Sequence, residues 1–339
     1  MMRFPFLGWT GQTIGVTAPS SGVLEDLHAL LEEATLRLQD RQMAVKIGQT
    51  VWTQHQAESA PAQSRADELN EMLQNPDIDA IIPPFGGERA IDVLPFLDFG
   101  RIPAKWLLGY SDISTVLFAI TVKTGIATAH GPNFVDMRSE EWDETTTAWR
   151  RVLATPAGGT VTQWTSDLYQ TKWNHSERPD RYMYHLDATT EWKTMDPTQK
   201  QASGRLLGGC LETIRHLIGT PYGGVEAFQA NQINEEPILW YFEVSEASAT
   251  DVHRSLMQMY LAGWFKQASG IVFGRTAGGR TIEDYTIVDV YETFKRMLDI
   301  PVFYDLDIGH QPPQMTLVNG ASATITIQGK DSRLDMTFQ

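Results

Sequence analysis

Ser111 closes the run Lys105-Trp106-Leu107-Leu108-Gly109-Tyr110-Ser111, and an apolar-periodic segment with Val116, Leu117 and Ile120 follows at once. A strand that turns into a helix over a single serine lifts the hydroxyl clear of the backbone. It also sets it beside the unpaired amide donors of the helix start. That arrangement suits a nucleophile, because the N–H after the serine can stabilise an oxyanion. Ser111 and Asp112 are equally ordinary helix-capping residues, so both readings stand. The Gly-x-Ser-x-Gly elbow of α/β-hydrolases is absent, since Ile113 occupies the position of its second glycine. A hydrolase built on Ser111 uses another fold.

A serine nucleophile needs a base, and the base needs an orienting carboxylate. Of the eight histidines, His28, His216 and His253 fall in helical patterns that suit packing or surface roles. His130, in Ala129-His130-Gly131-Pro132, could line a cleft from a strand end, and His175 and His185 lie in an aromatic insert. His310 is the best candidate, because Leu306-Asp307-Ile308-Gly309-His310-Gln311-Pro312-Pro313 forms a rigid loop after a strand-like segment. The alternative for His310 is a surface turn. Among the 42 acidic residues, Glu243 stands out at the end of an uninterrupted apolar strand. A buried carboxylate there requires a charged or donor partner, such as an imidazolium. A hydrogen bond to a nearby turn would also satisfy it. Glu212 is the rival, although its place just inside a helix is favourable for dipole reasons alone.

Gly86-Gly87 is a second feature of this kind. Glycine lets the backbone approach a substrate and present another N–H to an oxyanion, but the pair is equally readable as a tight turn. It is not a dinucleotide fingerprint, since Gly86-Gly87-Glu88-Arg89-Ala90 lacks the Gly-x-Gly-x-x-Gly spacing.

The elements that must hold these residues alternate. Residues 13–18, 43–47, 78–83 and 105–109 read as strands, with one more possible over 124–129. Helical spacing occupies 24–41, a stretch opened by a capping box at Ser64-Arg65-Ala66-Asp67, and a segment around Ala90 to Leu94. This pattern predicts an open, largely parallel α/β sheet flanked by helices, with ligands beyond the carboxyl ends of its strands, where Gly86-Gly87 and Ser111 both fall. After the break at Pro156-Ala157-Gly158-Gly159, residues 160–200 are polar and aromatic with little period. A second unit begins at Gly204, with strands over 237–243, 270–274 and 321–327 and a helix over 252–261. The expected division is 1–155, 156–203 and 204–339.

Composition narrows the partners. The net charge of −15 over 339 residues argues against nucleic acid or an anionic membrane surface. A single cysteine, Cys210, excludes an intramolecular disulfide and leaves no thiolate cluster for zinc. The apolar part of the first ten residues is too short for a secretory segment, and no run approaches the ~18 apolar residues of a membrane span. The expectation is a soluble, cytoplasmic protein.

Together these residues resemble the LD-carboxypeptidase and microcin-immunity serine peptidases, over nearly the whole chain. The resemblance rests on Ile14-Gly15-Val16-Thr17-Ala18-Pro19-Ser20-Ser21, Arg65-Ala66-Asp67-Glu68-Leu69-Asn70, Gly86-Gly87, Gly109-Tyr110-Ser111-Asp112 and Gly131-Pro132. In the same order follow Gly204-Arg205-Leu206-Leu207-Gly208-Gly209, the strand ending in Glu243, and Asp307-Ile308-Gly309-His310. It implies Ser111 as nucleophile, His310 as general base and acid, Glu243 as the residue orienting the imidazole, and the amides of Gly86 and Asp112 as oxyanion hole. It implies an α/β nucleophile domain joined to a smaller β-rich C-terminal domain, a homodimer, and neither metal nor organic cofactor. The segment with Trp173, Arg178-Pro179 and Trp192 resembles the extended substrate loop of the microcin-immunity branch, whose aromatic residue stacks on a nucleotide base. Those tryptophans could instead pin the loop or a dimer contact. Gly87, Trp173, Trp192 and Cys210 are the candidate substrate contacts. Cys210 stands where the family has asparagine, and a thiol is a weaker donor. The expected substrate is a peptidyl- or aminoacyl-nucleotide, or alternatively a muropeptide. A catalytically silent small-molecule binding protein is the third possibility.

Overall fold

The computed structural model describes residues 1–172 and 181–339. Trp173, His175, Arg178 and Pro179 therefore lie outside the described residues. The first half is an α/β sheet of β1 (Thr13–Val16), β2 (Ala44–Ile47), β3 (Ala80–Ile81), β4 (Trp106–Gly109) and β5 (Thr128–His130). These five run parallel in the order β2-β1-β3-β4-β5. The order reverses beside β1, so the loops leaving β1 and β3 diverge and open a crevice at their carboxyl ends. Helices α1 (His28–Asp40), α2 (Ala62–Gln74), α3 (Ser114–Thr124) and α4 (Glu144–Leu153) follow β1, β2, β4 and β5.

The second half is built on β6 (Thr160–Trp164), β9 (Lys193–Thr194), β10 (Gln201–Cys210), β11 (Ile238–Glu243), β12 (Ala268–Gly274), β13 (Val302–Leu306), β15 (Ser322–Thr326) and β16 (Arg333–Thr337). Their order is β6-β16-β15-β10-β11-β12-β13-β9. β10 to β13 run parallel. They are joined through α5 (Leu211–Ile214), α6 (Val225–Gln232), α7 (Ala249–Leu261) and α8 (Ile287–Leu298). Between β6 and β9, β7 (Leu168–Tyr169) and β8 (Ala188–Thr189) form a small antiparallel ribbon. The remaining strand, β14 (Leu317–Asn319), leaves the second sheet and pairs antiparallel with β5 in the first.

Helix α3 lies between the sheets and is buried from Ser114 to Val122. Its sequence, apolar on every side, fits that position. Phe118 stacks on Trp264 at 5.1 Å between ring centres and on Trp240 of β11 at 6.4 Å. The helix ends at Gly125, whose φ of +69° closes it in the left-handed conformation. Consequently the strand read over 124–129 begins only at Thr128.

Two local readings are corrected. Helix α2 begins at Ala62 behind Pro61, with no side-chain cap, so Ser64 lies inside the helix rather than at its N-cap. Pro61 is itself the N-cap, and its carbonyl accepts the Arg65 N–H at 3.1 Å. The segment around Ala90 is a 3₁₀ turn from Ala90 to Phe96 with Pro95 inside it. An α-helix there would lose a hydrogen bond at Pro95 and clash with its ring. No helix among the described residues is long and apolar enough to cross a membrane.

Candidate active site

Ser111 sits between β4 and α3 with φ of +63°. A left-handed non-glycine residue costs on the order of 1 kcal/mol, and a plain helix cap adopts extended backbone instead. The strain is held by bonds on either side of the serine. The Tyr110 N–H donates to Asn133 Oδ1 at 3.2 Å. The buried Asp112 carboxylate accepts from the Ser20 hydroxyl at 2.5 Å and the Ala90 N–H at 2.7 Å. Burial raises the Asp112 carboxyl above its ordinary value, against the pull of those bonds. Its own backbone N–H, in the first turn, is one that helical bonding leaves unpaired. Gly86 packs directly against the serine: a Cβ built there would lie 2.5 Å from Ser111 Cβ, 2.7 Å from Oγ and 3.3 Å from the Asp112 nitrogen. Only glycine permits that approach.

His310 arrives from the loop after β13. Its Nε2 lies 3.0 Å from Ser111 Oγ, and its Nδ1 lies 2.6 Å from Glu243 Oε2. An ionised carboxylate only accepts, so Nδ1 carries the proton and Nε2 is left to accept from the serine. Glu243 ends β11 fully buried, and the register opposes it to Cys210 of β10. Gly309, at φ of +88°, has no side chain to hold the histidine loop away from Glu243, where a Cβ would collide with the carboxylate's stem. Burial alone would raise the Glu243 carboxyl, but the His310 ring, with smaller contributions from His130 and the Cys210 thiol, holds it below its ordinary value. For His310 burial opposes protonation, and the charge and hydrogen bond of Glu243 overcome it and raise the imidazole. Such a pair favours imidazolium formation once the serine proton is taken.

The other candidates are placed apart from this line. His130 does not line the cleft. It is buried behind Glu243, with Nε2 4.0 Å from Oε1, and its ring stands edge-on to Tyr241. Burial lowers its pKa to about 4. Glu212 accepts the N–H groups of Ser245, Glu246 and Ala247 and shapes the turn after β11, so it does not orient a histidine. Cys210 is only 2% exposed; its thiol faces Glu212 at 3.4 Å and its N–H donates to Ser114 Oγ at 3.0 Å. Burial raises the thiol well above its ordinary value. Trp192 is likewise 2% exposed and gives its indole N–H to Asp307 at 2.8 Å. The expectation that Cys210 and Trp192 touch substrate is therefore corrected: both are consumed by packing inside the protein.

A cleft of about 380 Å³ opens over the serine. Ser21 and Gly22 after β1 and Gly86 and Gly87 after β3 form its floor, at the reversal in strand order, and Asn133 after β5 closes one side. Leu24, Leu27 and Phe85 give it an apolar wall. Gln54 steadies the floor by accepting the Gly22 N–H at 2.9 Å. Sequence reasoning missed Ser20, Asn133 and Asp307. Their role lies in long-range hydrogen bonds, which leave no spacing signal.

Residues 14–131 match the LD-carboxypeptidase N-terminal domain, and residues 203–325 match the LD-carboxypeptidase C-terminal domain. A putative carboxypeptidase of Vibrio cholerae is 25% identical over 340 residues, covering 96% of this chain and 95% of its own. The microcin C7 self-immunity protein MccF of Escherichia coli is 28% identical over 291 residues, covering 80% of this chain and 78% of its own. A probable murein peptide carboxypeptidase of Bacillus subtilis is 25% identical over 331 residues, covering 96% and 92%. The crystal structure of an MccF-like protein from Bacillus anthracis superposes with a TM-score of 0.83 at 23% identity, covering 99% of this chain and all of that one. MccF in complex with aspartyl sulfamoyl adenosine gives 0.82 at 22% identity, covering 100% and 99%. These two structures share the fold of this chain.

Proposed function

The chain belongs to the LD-carboxypeptidase family, and we propose that it is a serine peptidase in which Ser111, His310 and Glu243 act as a triad. The observation that supports this reading is the continuous line Ser111–His310–Glu243, at 3.0 and 2.6 Å, on a serine held at φ of +63°. His310 Nε2 takes the Ser111 proton as Oγ attacks an amide carbonyl, and the new oxyanion rests on the N–H groups of Gly86 and Asp112. His310 then protonates the leaving amine, and water resolves the acyl-enzyme by the same route in reverse. In this reading residues 1–155 supply the nucleophile and residues 204–339 the base and its orienting acid. Residues 156–203 form the linker and substrate loop.

The substrate we propose is an aminoacyl- or peptidyl-nucleotide conjugate, cleaved at its amide as in microcin immunity. Support comes from the relative MccF and from the sequence of the insert, where Trp173 remains the candidate aromatic face for a nucleobase. The second reading is a muropeptide LD-carboxypeptidase, favoured by the murein peptide carboxypeptidase matched over 96% of the chain. Hydrolysis of an aminoacyl-sulfamoyl adenosine and of a muropeptide ending in D-alanine, measured side by side, separates the two. Preferential cleavage of the muropeptide would overturn the nucleotide reading. A wild-type protein that cleaves neither and is not labelled at Ser111 by a fluorophosphonate would be a silent binding protein.

A further inference from the structure

We propose that Asp307 is a positioning residue that ties the insert between residues 160 and 200 to His310; this rests on the reading of His310 as the base. Asp307 lies three residues before His310 and is fully buried. Its carboxylate takes four donors. The Ser166 N–H at 2.9 Å, the Ser166 hydroxyl at 2.6 Å and the Trp192 indole N–H at 2.8 Å all come from the insert. The fourth is Arg275 Nη1 at 2.6 Å.

Arg275 continues the tie past the histidine. Its Nη2 donates to the carbonyls of Gln311 at 3.2 Å and Pro313 at 2.9 Å, so one guanidinium holds the chain on both sides of His310. The insert makes two further contacts, one with Arg275 and one with the loop itself. Tyr169 lies under the Arg275 guanidinium, 4.8 Å from ring centre to Cζ. The Gln170 N–H donates to the Pro312 carbonyl at 2.8 Å. The loop is closed at its base by the Met315 N–H on the Asp307 carbonyl at 2.7 Å. None of these groups touches Ser111 or the cleft. Their common effect is on where the imidazole sits, and charge-assisted bonds from a buried carboxylate are the strong ones. Loss of the tie therefore acts on the base rather than on binding, which places the loss in kcat rather than in KM.

The test measures two rates on Asp307→Asn, Trp192→Phe, Ser166→Ala and His310→Ala. One is hydrolysis of an aminoacyl-sulfamoyl adenosine. The other is labelling of Ser111 by a small alkyl fluorophosphonate, which needs the base but is too short to reach the insert. Asp307→Asn is expected to lower both kcat and the labelling rate tenfold or more, with KM changed less than twofold, since a misplacement of about 1 Å can cost a hundredfold. Trp192→Phe keeps the ring and loses one donor, and Ser166→Ala loses the hydroxyl; each is expected to slow labelling two- to fivefold. If Asp307→Asn does not fold, these two variants decide. Labelling at the wild-type rate in folded Asp307, Trp192 and Ser166 variants, or a loss confined to KM, overturns the coupling. His310→Ala separates the two claims. If it labels at the wild-type rate the base assignment itself fails, whereas slow labelling of His310→Ala beside normal labelling of the others rejects only the role of Asp307.

Discussion

Gly86→Ala is the smallest change that should disable the site without removing a reacting group. An alanine Cβ would stand 2.5 Å from Ser111 Cβ and 2.7 Å from Oγ, where an ordinary contact begins at 3.4 Å. The two segments must therefore part by nearly an ångström. Ser111 cannot yield cheaply, because its neighbours are pinned through Asn133, Ser20 and Ala90. The Gly86 loop moves instead, and its N–H leaves the place proposed for the oxyanion. Removing one such donor costs about 10² to 10³ in kcat, or roughly 3–4 kcal/mol of transition-state stabilisation. Overpacking should cost about 1–3 kcal/mol of stability as well, so folding is checked by thermal melting. The assay is kcat on an amide substrate, with the sites that react counted by fluorophosphonate. A folded Gly86→Ala enzyme whose kcat lies within fivefold of wild type would refute the reasoning, because the glycine would then be only a turn.

Ser111→Gly should unfold in denaturant at a free energy about 1 kcal/mol above Ser111→Ala, since only glycine relaxes the φ of +63°; both should be inactive in the amide assay. Glu212→Ala should lower stability by roughly 1–3 kcal/mol, by unpairing the N–H groups of residues 245–247, in the same denaturant titration. His130, held near pKa 4 in the folded state against 6.5, withdraws about 3 kcal/mol as pH falls from 6.5 to 4, while Asp136, raised by burial from 3.8 to about 6, returns a similar amount as pH falls from 6 to 4. Asp136→Asn should therefore expose an acid-limb loss that wild type masks, read from urea unfolding between pH 4 and 7.

The alternation of strands and helices up to residue 150 was legible because the helices carry an amphipathic period while the buried strands read as short apolar runs. The parallel sheet follows from that alternation. What could not be read was strand exchange. β6 and β16 lie side by side at one edge of the second sheet, though they are separated by most of its sequence. β14 leaves the second half to pair with β5. Pairing partners that distant leave no local pattern, and Leu317 to Asn319 is too short to show alternation. The short segment at Ala90 misled for a different reason: apolar spacing suits a helix there, and one proline changed its kind.

The site was legible where chemistry and backbone coincide, at Ser111 after an apolar strand and at Glu243 ending another. His310 led the seven other histidines through its rigid loop after a strand, and the resemblance strengthened that choice; its neighbours Asp307 and Gly309 serve geometry rather than period. The sequence leaves Trp192 between a ligand platform and a residue that pins the loop, and its N–H is spent on Asp307, a long-range partner that the sequence pattern does not show.

Resemblance implied that Ser111 and His310 come from different halves of the chain, which suggests a site that could open like a hinge. The topology argues otherwise. His310 lies on the one connection that leaves β13 in the second sheet and enters β14 in the first. β14 places Leu317 opposite His130 of β5, and β5 places His130 opposite Gly109 of β4, two residues before the serine. His310 is thus fixed at one end by the second sheet and at the other by the strand system that carries Ser111. Separating the halves would first require unpairing β14 from β5 and exposing α3, which is buried between the sheets along nearly its whole length. Access for substrate must therefore come from the loops that line the cleft, while the serine, imidazole and carboxylate stay in register.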